Sequence, residues 1–327
     1  MPITQFFKFS PILKEKIWGG EKLMQLLDKS SVKKNIGESW EISDVPGDTS
    51  VVANGALQGT TIKELITTYK GGFLGTKVYE GFGDNFPLLI KFIDAKEALS
   101  IQLHPNDALA KARHNSFGKT EMWYVLQADE KANLIVGFQE KISPQAYVEH
   151  VANNTLLAVL NVDEVAEGDV YFIPTGRIHA IGAGVLLAEI QQTSDVTYRI
   201  YDWDRQDTAG NKRVLHTVEA IDSIDYTMQD SYRTAYKKEL NKTMPVVSCP
   251  YFTTNIVALA SGVTQCVDHT AKDSFVIYMC VKGTVLFTAG NEASSLKMGE
   301  TLLVPACLES FQITASQEST LLEVYIK

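Results

Sequence analysis

The chain has 327 residues, 45% of them apolar and 21% charged, so we expect a packed core in one large domain or two ordinary ones. The formal net charge of −9 argues against a broad nucleic-acid surface, although a local group of Lys and Arg could still hold an anionic small molecule. The sequence starts without a signal-peptide pattern and contains no bilayer-length apolar run, so we expect a cytoplasmic protein without nucleic-acid or membrane partners.

In chain order, a few short stretches have helical spacing, and most of the remaining pattern is typical of β-strands. The predicted helices are 21–27, 61–70, 106–113 and 143–154, the last with Ser143 as N-cap and Pro144 at the first helical position. The predicted strand runs are 86–94, 98–104, 121–128, 132–138, 169–174, 184–192, 252–260, 274–289, 300–306 and 320–326. Many short strands separated by turns favour sandwiches or jelly rolls over a parallel sheet.

A weak internal repeat indicates two similar β units. Glycine, five residues and proline occur at Gly168 to Pro174 and again at Gly299 to Pro305, each time after a pair of aromatic strands. The first copy has a histidine after its proline, His179, and the second has none. If the segment after the repeat proline supplies a metal ligand, only the first copy can do so.

The polar stretch 228–245 is the candidate linker between these units. We therefore predict a mainly β chain of two jelly-roll β-sandwich units with a few short helices. The predicted domains are a catalytic domain, 1–243, and a smaller C-terminal domain without metal ligands, 244–327. The cysteines form no C-x-x-C pair and are predicted to be small buried hydrophobic residues: Cys249, Cys266, Cys280 and Cys307.

The segment "LSIQLHP" (99–105) places a glutamine and a histidine on one face of a strand. Ser100, Gln102 and His104 alternate with apolar residues, so their side chains point the same way. Further along, Gly168, Pro174, Gly176 and His179 have the spacing of the second metal motif of the cupin superfamily. In that motif a turn at the rim returns the histidine into the barrel mouth.

A glutamate that opens a strand, Glu121 in "GKTEMWY", completes a possible metal site. Gln102, His104, Glu121 and His179 would supply mixed N and O ligands, which suit a catalytic divalent metal. Taken alone, each of these residues is more often structural, and a general cupin has histidine in place of Gln102. The joint pattern carries the prediction. Four other histidines have no such surroundings and are expected to be ordinary: His114, His150, His216 and His269.

Read together, these segments resemble the short bacterial form of type I mannose-6-phosphate isomerase, a cupin family. The matching segments span most of the chain: "KIWGG" (16–20), "IGESWEIS" (36–43), "PLLIKFIDAKEALSIQLHPND" (87–107), "GKTEMWYVL" (118–126), "GDVYFIPTGRIHAIGAGVLLAEIQQTSDVTYRIYDW" (168–203) and "GETLLVPA" (299–306). The resemblance implies one Zn²⁺ per chain, held by Gln102, His104, Glu121 and His179. It also implies reversible conversion of mannose 6-phosphate to fructose 6-phosphate through a cis-enediol.

The same resemblance implies roles for further residues. The implied catalytic residues are Arg199, Glu189, Lys119 and Asp195, and the implied substrate or phosphate contacts are Ser100, Lys91 and Lys119. The catalytic base stays open among Glu189, Asp195, Lys119 and a metal-bound water. Some long relatives have a histidine where this chain has Gly118, so no role of that histidine carries over.

Other functions fit parts of the pattern. Two histidines and a carboxylate also suit a non-haem iron oxygenase. A non-catalytic sugar-binding cupin would use the metal structurally, although it has no need for an arginine beside it. An isomerase of unphosphorylated sugar is a third alternative, which the lysines disfavour weakly. The sequence does not distinguish a monomer from a homodimer.

Overall fold

The computed structural model describes residues 3–206 and 210–327, and it is mainly β. The strands are β1 (Ile12–Gly20), β2 (Ile36–Ile42), β3 (Asp44–Val45), β4 (Asp48–Thr49), β5 (Leu88–Ala95), β6 (Ile101–Leu103), β7 (Glu121–Ala128), β8 (Asn133–Phe138), β9 (Leu160–Glu164), β10 (Val170–Ile173), β11 (His179–Ile181), β12 (Val185–Gln192), β13 (Tyr198–Tyr201), β14 (Lys242–Ser248), β15 (Thr253–Leu259), β16 (Thr264–Asp268), β17 (Val276–Lys282), β18 (Thr284–Ala289), β19 (Glu292–Lys297), β20 (Thr301–Val304), β21 (Ser310–Ala315) and β22 (Ser319–Tyr325).

The helices are short. They are α1 (Lys22–Gln25), α2 (Ile62–Tyr69), α3 (Gly71–Leu74), α4 (Thr76–Phe82), α5 (Asp107–His114), α6 (Pro144–Ala152) and α7 (Thr217–Ala220), with a 3₁₀ turn at Leu156–Val159. The four predicted helices are confirmed as α1, α2, α5 and α6, and Ser143 caps α6 by accepting a bond from the Ala146 amide. Among the described residues, no helix has the length and apolar character needed to cross a membrane.

Two jelly rolls with one strand order make up the molecule. In the first unit the sheet β5-β12-β7-β10 faces β6-β11-β8-β9, with β1 and β2 added beside β5 and β13 added beside β6. In the second unit β15-β22-β17-β20 faces β16-β21-β18-β19, with β14 added beside β15. Apart from the added strand β14, each strand of the second sandwich thus carries the number of its counterpart plus ten, and the predicted pair of β-sandwich units is confirmed.

The glycine–proline repeat marks equivalent turns in the two units. Gly168 and Gly299 both have a positive φ, +90° and +84°, and lead into β10 and β20. In the first unit Ile173 at the end of β10 pairs with Glu121, and in the second Val304 pairs with Val276. An apolar residue therefore takes the place of Glu121 in the second unit. Counted from the repeat glycine, the position of His179 is held there by Ser310.

The polar stretch 228–245 connects the units but is packed against the first one. The Tyr232 side chain is buried, and its hydroxyl accepts a bond from the Phe138 amide and donates to the Phe138 carbonyl. The Thr234 amide donates to the Val170 carbonyl beside β10. The division into 1–243 and 244–327 stays a prediction, and β14 begins just before that boundary.

The two units share their largest hydrophobic core. Phe7, Phe73 and Phe86 from the first part of the chain belong to one buried cluster with Ile277 and Leu303 from the second unit. Phe7 and Leu303 also exchange backbone hydrogen bonds of 2.9 and 2.8 Å. The N-terminal segment is therefore part of the contact between the units.

The cysteine prediction is partly wrong. Cys280 on β17 is buried and Cys249 is half-buried, but Cys266 and Cys307 are exposed. Cys266 lies on the outward face of β16, where alternate residues point to solvent, and Cys307 lies in the turn after β20. An apolar neighbourhood in sequence did not indicate which face these side chains occupy.

Candidate active site

Strands from both sheets of the first unit bring four predicted ligand residues to one end of the sandwich. Glu121 is the first residue of β7, in one sheet. His179 opens β11 and pairs with Gln102 on β6, in the facing sheet, and His104 follows directly after β6. Because the inward side chains of two facing sheets meet between them, these residues converge inside the sandwich.

His104, Glu121 and His179 form a closed, buried group. Their ligand atoms lie within 4.8 Å of one another, and each side chain is about 1% exposed. The Nε2 atoms of His104 and His179 lie 3.5 and 3.4 Å from the two carboxylate oxygens of Glu121. These four atoms have no hydrogen-bond partner within the described part of the chain. Buried polar atoms are almost always paired, so these three side chains fit a bound cation.

Backbone carbonyls orient both imidazoles for this task. The Nδ1 of His104 lies 2.8 Å from the Val196 carbonyl, and the Nδ1 of His179 lies 2.8 Å from the Arg177 carbonyl. A carbonyl accepts and does not donate, so each Nδ1 carries the proton and each Nε2 presents its lone pair to the centre. This is the usual outer-sphere arrangement of metal-binding histidines.

Burial disfavours the charged forms of Glu121, His104 and His179. Burial, with the nearby charge of Glu189, raises the pKa of Glu121 to about 8. Burial lowers the pKa of His179 to about 4 and that of His104 well below its usual range. The Glu121 carboxyl would become a carboxylate beside a divalent cation, whose charge favours the ionised form, and the neutral imidazoles of His104 and His179 would be ready to bind that cation.

Gln102 adjoins this group from the side of the cleft. It is half-buried, and with His179 it lines the inner end of the cleft. Its Oε1 accepts a bond of 3.3 Å from the Ser100 hydroxyl, which confirms that these two side chains share a face. Its role as a fourth ligand stays a prediction.

Two buried lysines lie beside the group of His104, Glu121 and His179, and each has an oxygen atom as its partner. Lys91 donates to Glu189 Oε1 at 2.9 Å and to Gln191 Oε1 at 2.6 Å, and Lys119 lies 3.4 Å from Glu121 Oε2. The other oxygen of Glu189 accepts from the Trp123 indole at 3.0 Å. Burial favours the neutral acid, but the charges of Lys91 and Lys119 hold the pKa of Glu189 at about 2. Glu189 is therefore a fixed carboxylate that neutralises its surroundings.

An open cleft leads from this inner end to the surface, where β13 forms one wall. Arg199 on β13 pairs with Gln102 in register, and its Nε donates to the Ser100 hydroxyl at 3.3 Å. Asp195 lies exposed at the rim. Eight of the predicted site residues line this cleft: Lys91, Ser100, Gln102, Lys119, His179, Glu189, Asp195 and Arg199. His104 and Glu121 are buried beside His179 and do not line it. Their roles stay predictions.

The structure adds cleft residues that were not predicted individually: Lys16, Trp18, Glu38, Trp40, Thr197 and Arg213. Lys16 and Trp18 lie on β1, and Glu38 and Trp40 lie on β2. The Glu38 carboxylate accepts from the Trp40 indole at 2.6 Å and lies 3.3 Å from the Lys16 ammonium. The segments "KIWGG" and "IGESWEIS" were part of the resemblance and were the available signal, but nothing in their spacing joins them to the metal motifs.

Position 118 has a packing reason to be glycine. A Cβ atom added to Gly118 would lie 2.8 Å from the Asp107 amide nitrogen, closer than real Cβ contacts. The Gly118 amide also donates to the Asp107 carboxylate at 2.8 Å. A histidine here would push α5 away from the segment that carries Lys119 and Glu121. The local packing therefore explains why this chain has glycine, and not histidine, at position 118.

The fold and the buried group define a cupin-type enzyme with a metal site in the mouth of its first jelly roll, and comparisons with known proteins narrow this class. Residues 6–137 match the family model described as the catalytic domain of type I phosphomannose isomerase. Residues 241–325 match the cupin domain of mannose-6-phosphate isomerase. The chain belongs to the type I mannose-6-phosphate isomerase family, whose members are isomerases.

Full-length relatives support this assignment. The mannose-6-phosphate isomerase of Streptococcus mutans is 34% identical over 305 residues, which cover 93% of both chains. The ManA mannose-6-phosphate isomerase of Bacillus subtilis is 31% identical over 318 residues, 96% of this chain and 98% of its own. A crystal structure of the mannose 6-phosphate isomerase from Bacillus subtilis superimposes with a TM-score of 0.88 at 32% identity, covering 98% of this chain and all of that one.

Proposed function

We propose that this chain interconverts mannose 6-phosphate and fructose 6-phosphate, using one Zn²⁺ per chain and a cis-enediol. The observation that carries the proposal is the set of buried metal-ligand atoms without hydrogen-bond partners on His104, Glu121 and His179, beside a cleft lined with Lys and Arg side chains. Such a cleft suits an anionic sugar whose reacting oxygens approach a metal. Two relatives are named mannose-6-phosphate isomerases, which supports mannose 6-phosphate as a substrate.

The residues that would hold the ion are His104, Glu121 and His179, with Gln102 as the fourth ligand. Two imidazoles, a carboxylate and an amide oxygen are ligand types that zinc accepts, and the open cleft leaves room for substrate oxygens. When bound, the ion would polarise the O1 and O2 atoms and stabilise the negative charge that develops on them. The burial of the donors and the carbonyl-fixed histidines support this ligand set.

The remaining residues of the cleft would bind the sugar and move the proton. Arg199 would place a fixed positive charge near the enediolate, and Ser100, Lys91 and Lys119 would contact substrate oxygens. The proton moves between C2 and C1, so the base must reach both carbons. Glu189 is the least suited candidate, because both of its oxygens are already bound and its pKa is about 2. Lys119 and Asp195 line the cleft, and these two residues and a metal-bound water remain the candidates.

The deciding experiment is a coupled assay of mannose 6-phosphate, free mannose and other hexose phosphates, with and without chelator. We expect turnover of mannose 6-phosphate that chelation abolishes and zinc restores, under nitrogen as well as in air. A strict need for oxygen would indicate an iron oxygenase, and tight binding without turnover would indicate a sugar-binding protein. Preference for free mannose would contradict the phosphorylated substrate.

We also propose that the protein is cytoplasmic. The four cysteines are free thiols, and two of them are exposed, which suits a reducing compartment.

A further inference from the structure

The outer end of the cleft carries more positive than negative charge. Arg205 and Arg213 both bind one buried carboxylate, Asp202, through bonds of 3.0 Å to Oδ1 and 2.7 Å to Oδ2. Arg199 stands beside them, and its pKa is lowered by burial and by the charges of Arg213 and Arg205, against the pull of Asp202. Of these groups, the guanidinium groups of Arg199 and Arg213 line the cleft together with one carboxylate, Asp195.

At the inner end of the cleft, the positively charged groups already have negatively charged partners and are less available to bind an added anion. Lys91 is buried and already donates to Glu189 and Gln191, and Lys119 lies against Glu121. These lysines can meet neutral sugar oxygens, but a phosphate dianion there would face the buried carboxylates as well. The inner end of the cleft therefore suits neutral sugar oxygens, whereas the outer end suits an anionic group.

Arg213 is both held in place and accessible. Its guanidinium is anchored on Asp202, its side chain is 31% exposed, and it lines the cleft. The next residue, Val214, accepts a bond of 3.2 Å from Arg199 Nη1, and the His216 amide donates to the Arg199 carbonyl at 2.7 Å. The segment that carries Arg213 therefore runs beside β13 and fixes this arginine relative to Arg199.

We propose that Arg213 binds the phosphoryl group of the substrate and sets the preference for phosphorylated over free hexose. This inference rests on the proposed function. A guanidinium held by a carboxylate on one side presents its remaining N–H groups to phosphate oxygens with little loss of side-chain freedom. The substrate then lies along the cleft, with its reacting carbons at the metal end and its phosphate at Arg213.

The test compares Arg213→Gln with the parent protein. Loss of a charge-assisted contact should raise the KM for mannose 6-phosphate by about 10- to 100-fold. The kcat should change by less than about threefold, because this contact is made equally in ground and transition states. The inhibition constant of inorganic phosphate should rise in parallel, while kcat/KM for free mannose and the metal content stay unchanged.

A neighbouring variant provides the control. Lys212 is on the same hairpin and pairs with Asp204 at 2.6 Å on the surface, outside the cleft lining, so Lys212→Gln should leave every constant unchanged. An unchanged KM and phosphate inhibition constant in Arg213→Gln would overturn the proposal, and so would an equal effect of Lys212→Gln. If Arg213→Gln loses its melting transition, Arg213→Met, which keeps the aliphatic stem, replaces it.

Calorimetric titration of inorganic phosphate into the metal-loaded protein separates this proposal from the proposed function. It needs no turnover, so a protein that fails to isomerise mannose 6-phosphate would refute the proposed function and still report on Arg213. Weaker phosphate binding in Arg213→Gln than in Lys212→Gln supports the assignment, and equal binding refutes it.

Discussion

Single residues divide the site into a part that holds an ion and a part that acts on the substrate. His179 is buried with a free Nε2 and a carbonyl-bound Nδ1, so its side chain serves the inner group. Arg199 is half-buried in the cleft wall and contacts no member of that group in the described structure. Substitutions of His179 and Arg199 should therefore have different effects on metal content and turnover.

We predict that His179→Ala loses both metal and turnover, whereas Arg199→Ala keeps metal and fold but loses turnover. Removing one ligand from a buried site leaves the remaining donors short of a full coordination shell. Removing the arginine takes away a fixed charge near the reacting oxygens, which costs roughly 10²–10³ in kcat by analogy with an oxyanion donor. Elemental analysis and the coupled assay measure the two effects.

His150→Ala is the matched control, because His150 is on α6 and its ring bonds to the nearby Thr155 hydroxyl. It should retain one metal per chain and full activity. Full metal content and turnover in His179→Ala would refute the ligand assignment, and unchanged turnover in Arg199→Ala would refute the arginine role.

At the scale of elements, α5 and the second unit hold the segment that leads into β7. Asp107, the first residue of α5, accepts bonds from the Gly118 amide at 2.8 Å and from the Gln192 side chain at 3.2 Å. Its other oxygen accepts from the Tyr251 hydroxyl, which lies in the second unit. Gln192 in turn accepts from the Thr120 amide at 2.8 Å, one residue before the predicted ligand Glu121.

We predict that Asp107→Ala weakens metal binding by about 10-fold, because partners that orient ligands typically contribute 10- to 100-fold to affinity. Chelator competition on the purified protein measures the change. Lys111→Ala is the control, since Lys111 is on the same helix and bonds to Asn115 at the surface. An unaltered metal affinity in Asp107→Ala would show that β7 holds Glu121 without this support.

At the scale of the whole molecule, the second unit has its own buried polar cluster. The Glu323 carboxylate on β22 accepts from Tyr278 at 2.9 Å, Lys272 at 2.8 Å and Asn255 at 2.7 Å, and lies 3.2 Å from His269. The buried carboxylate therefore has partners within the fold, and the cluster stabilises the second unit. His269 thus has a structural role.

Glu323 should make the protein sensitive to acid. Burial favours the neutral form, but His269 and Lys272 hold the pKa of Glu323 at about 2, below its value of 4.5 in an unfolded chain. The stability it contributes, about 3 kcal/mol, is complete above pH about 4.5 and is lost as the pH falls towards 2. We predict that Glu323→Gln is less stable than the parent at pH 7 and that the difference narrows below pH 4.5.

Urea unfolding at pH 7, 4.5 and about 3 measures this difference. Glu318→Gln is the control, because Glu318 pairs with Lys282 on the surface, where an ion pair contributes little. A stability difference between Glu323→Gln and the parent that stays constant with pH would contradict the assignment.

The shared core predicts that the first unit does not fold alone. Phe86 packs against Phe275 with ring centroids 4.9 Å apart, and Phe7 pairs with Leu303. A chain of residues 1–243 would expose such side chains, each contributing about 1.5–3 kcal/mol when buried. We expect it to be insoluble and to be rescued by co-expression of residues 244–327. A soluble, active 1–243 fragment would show that the proposed domains are independent.

Short-range pattern was enough for the principal helices and for β5, β6, β7, β8, β10, β12, β15, β20 and β22, and the predicted run 274–289 is divided into β17 and β18. The other described strands, among them β1, β2 and β13 beside the cleft, were not predicted. Alternation placed Ser100 and Gln102 on one face, and the glycine–proline repeat located equivalent turns before β10 and β20. Helices α3, α4 and α7 were not predicted. Packing of apolar side chains such as Phe73 and Val78 stabilises α3 and α4, and this outweighs the low helix propensity of their glycines.

By itself, the sequence determined a two-unit β-sandwich protein, its family resemblance and a metal group in the first unit, because periodicity and motif spacing are local properties of the chain. Tertiary structure alone decided which side chains complete the cleft. Lys16 and Glu38 reach it because β1 and β2 add beside β5, and Arg213 because its segment runs along β13. Periodicity reports which face a residue occupies and not which strand lies next to it, so these contacts, and the core shared by the two units, follow only from long-range pairing.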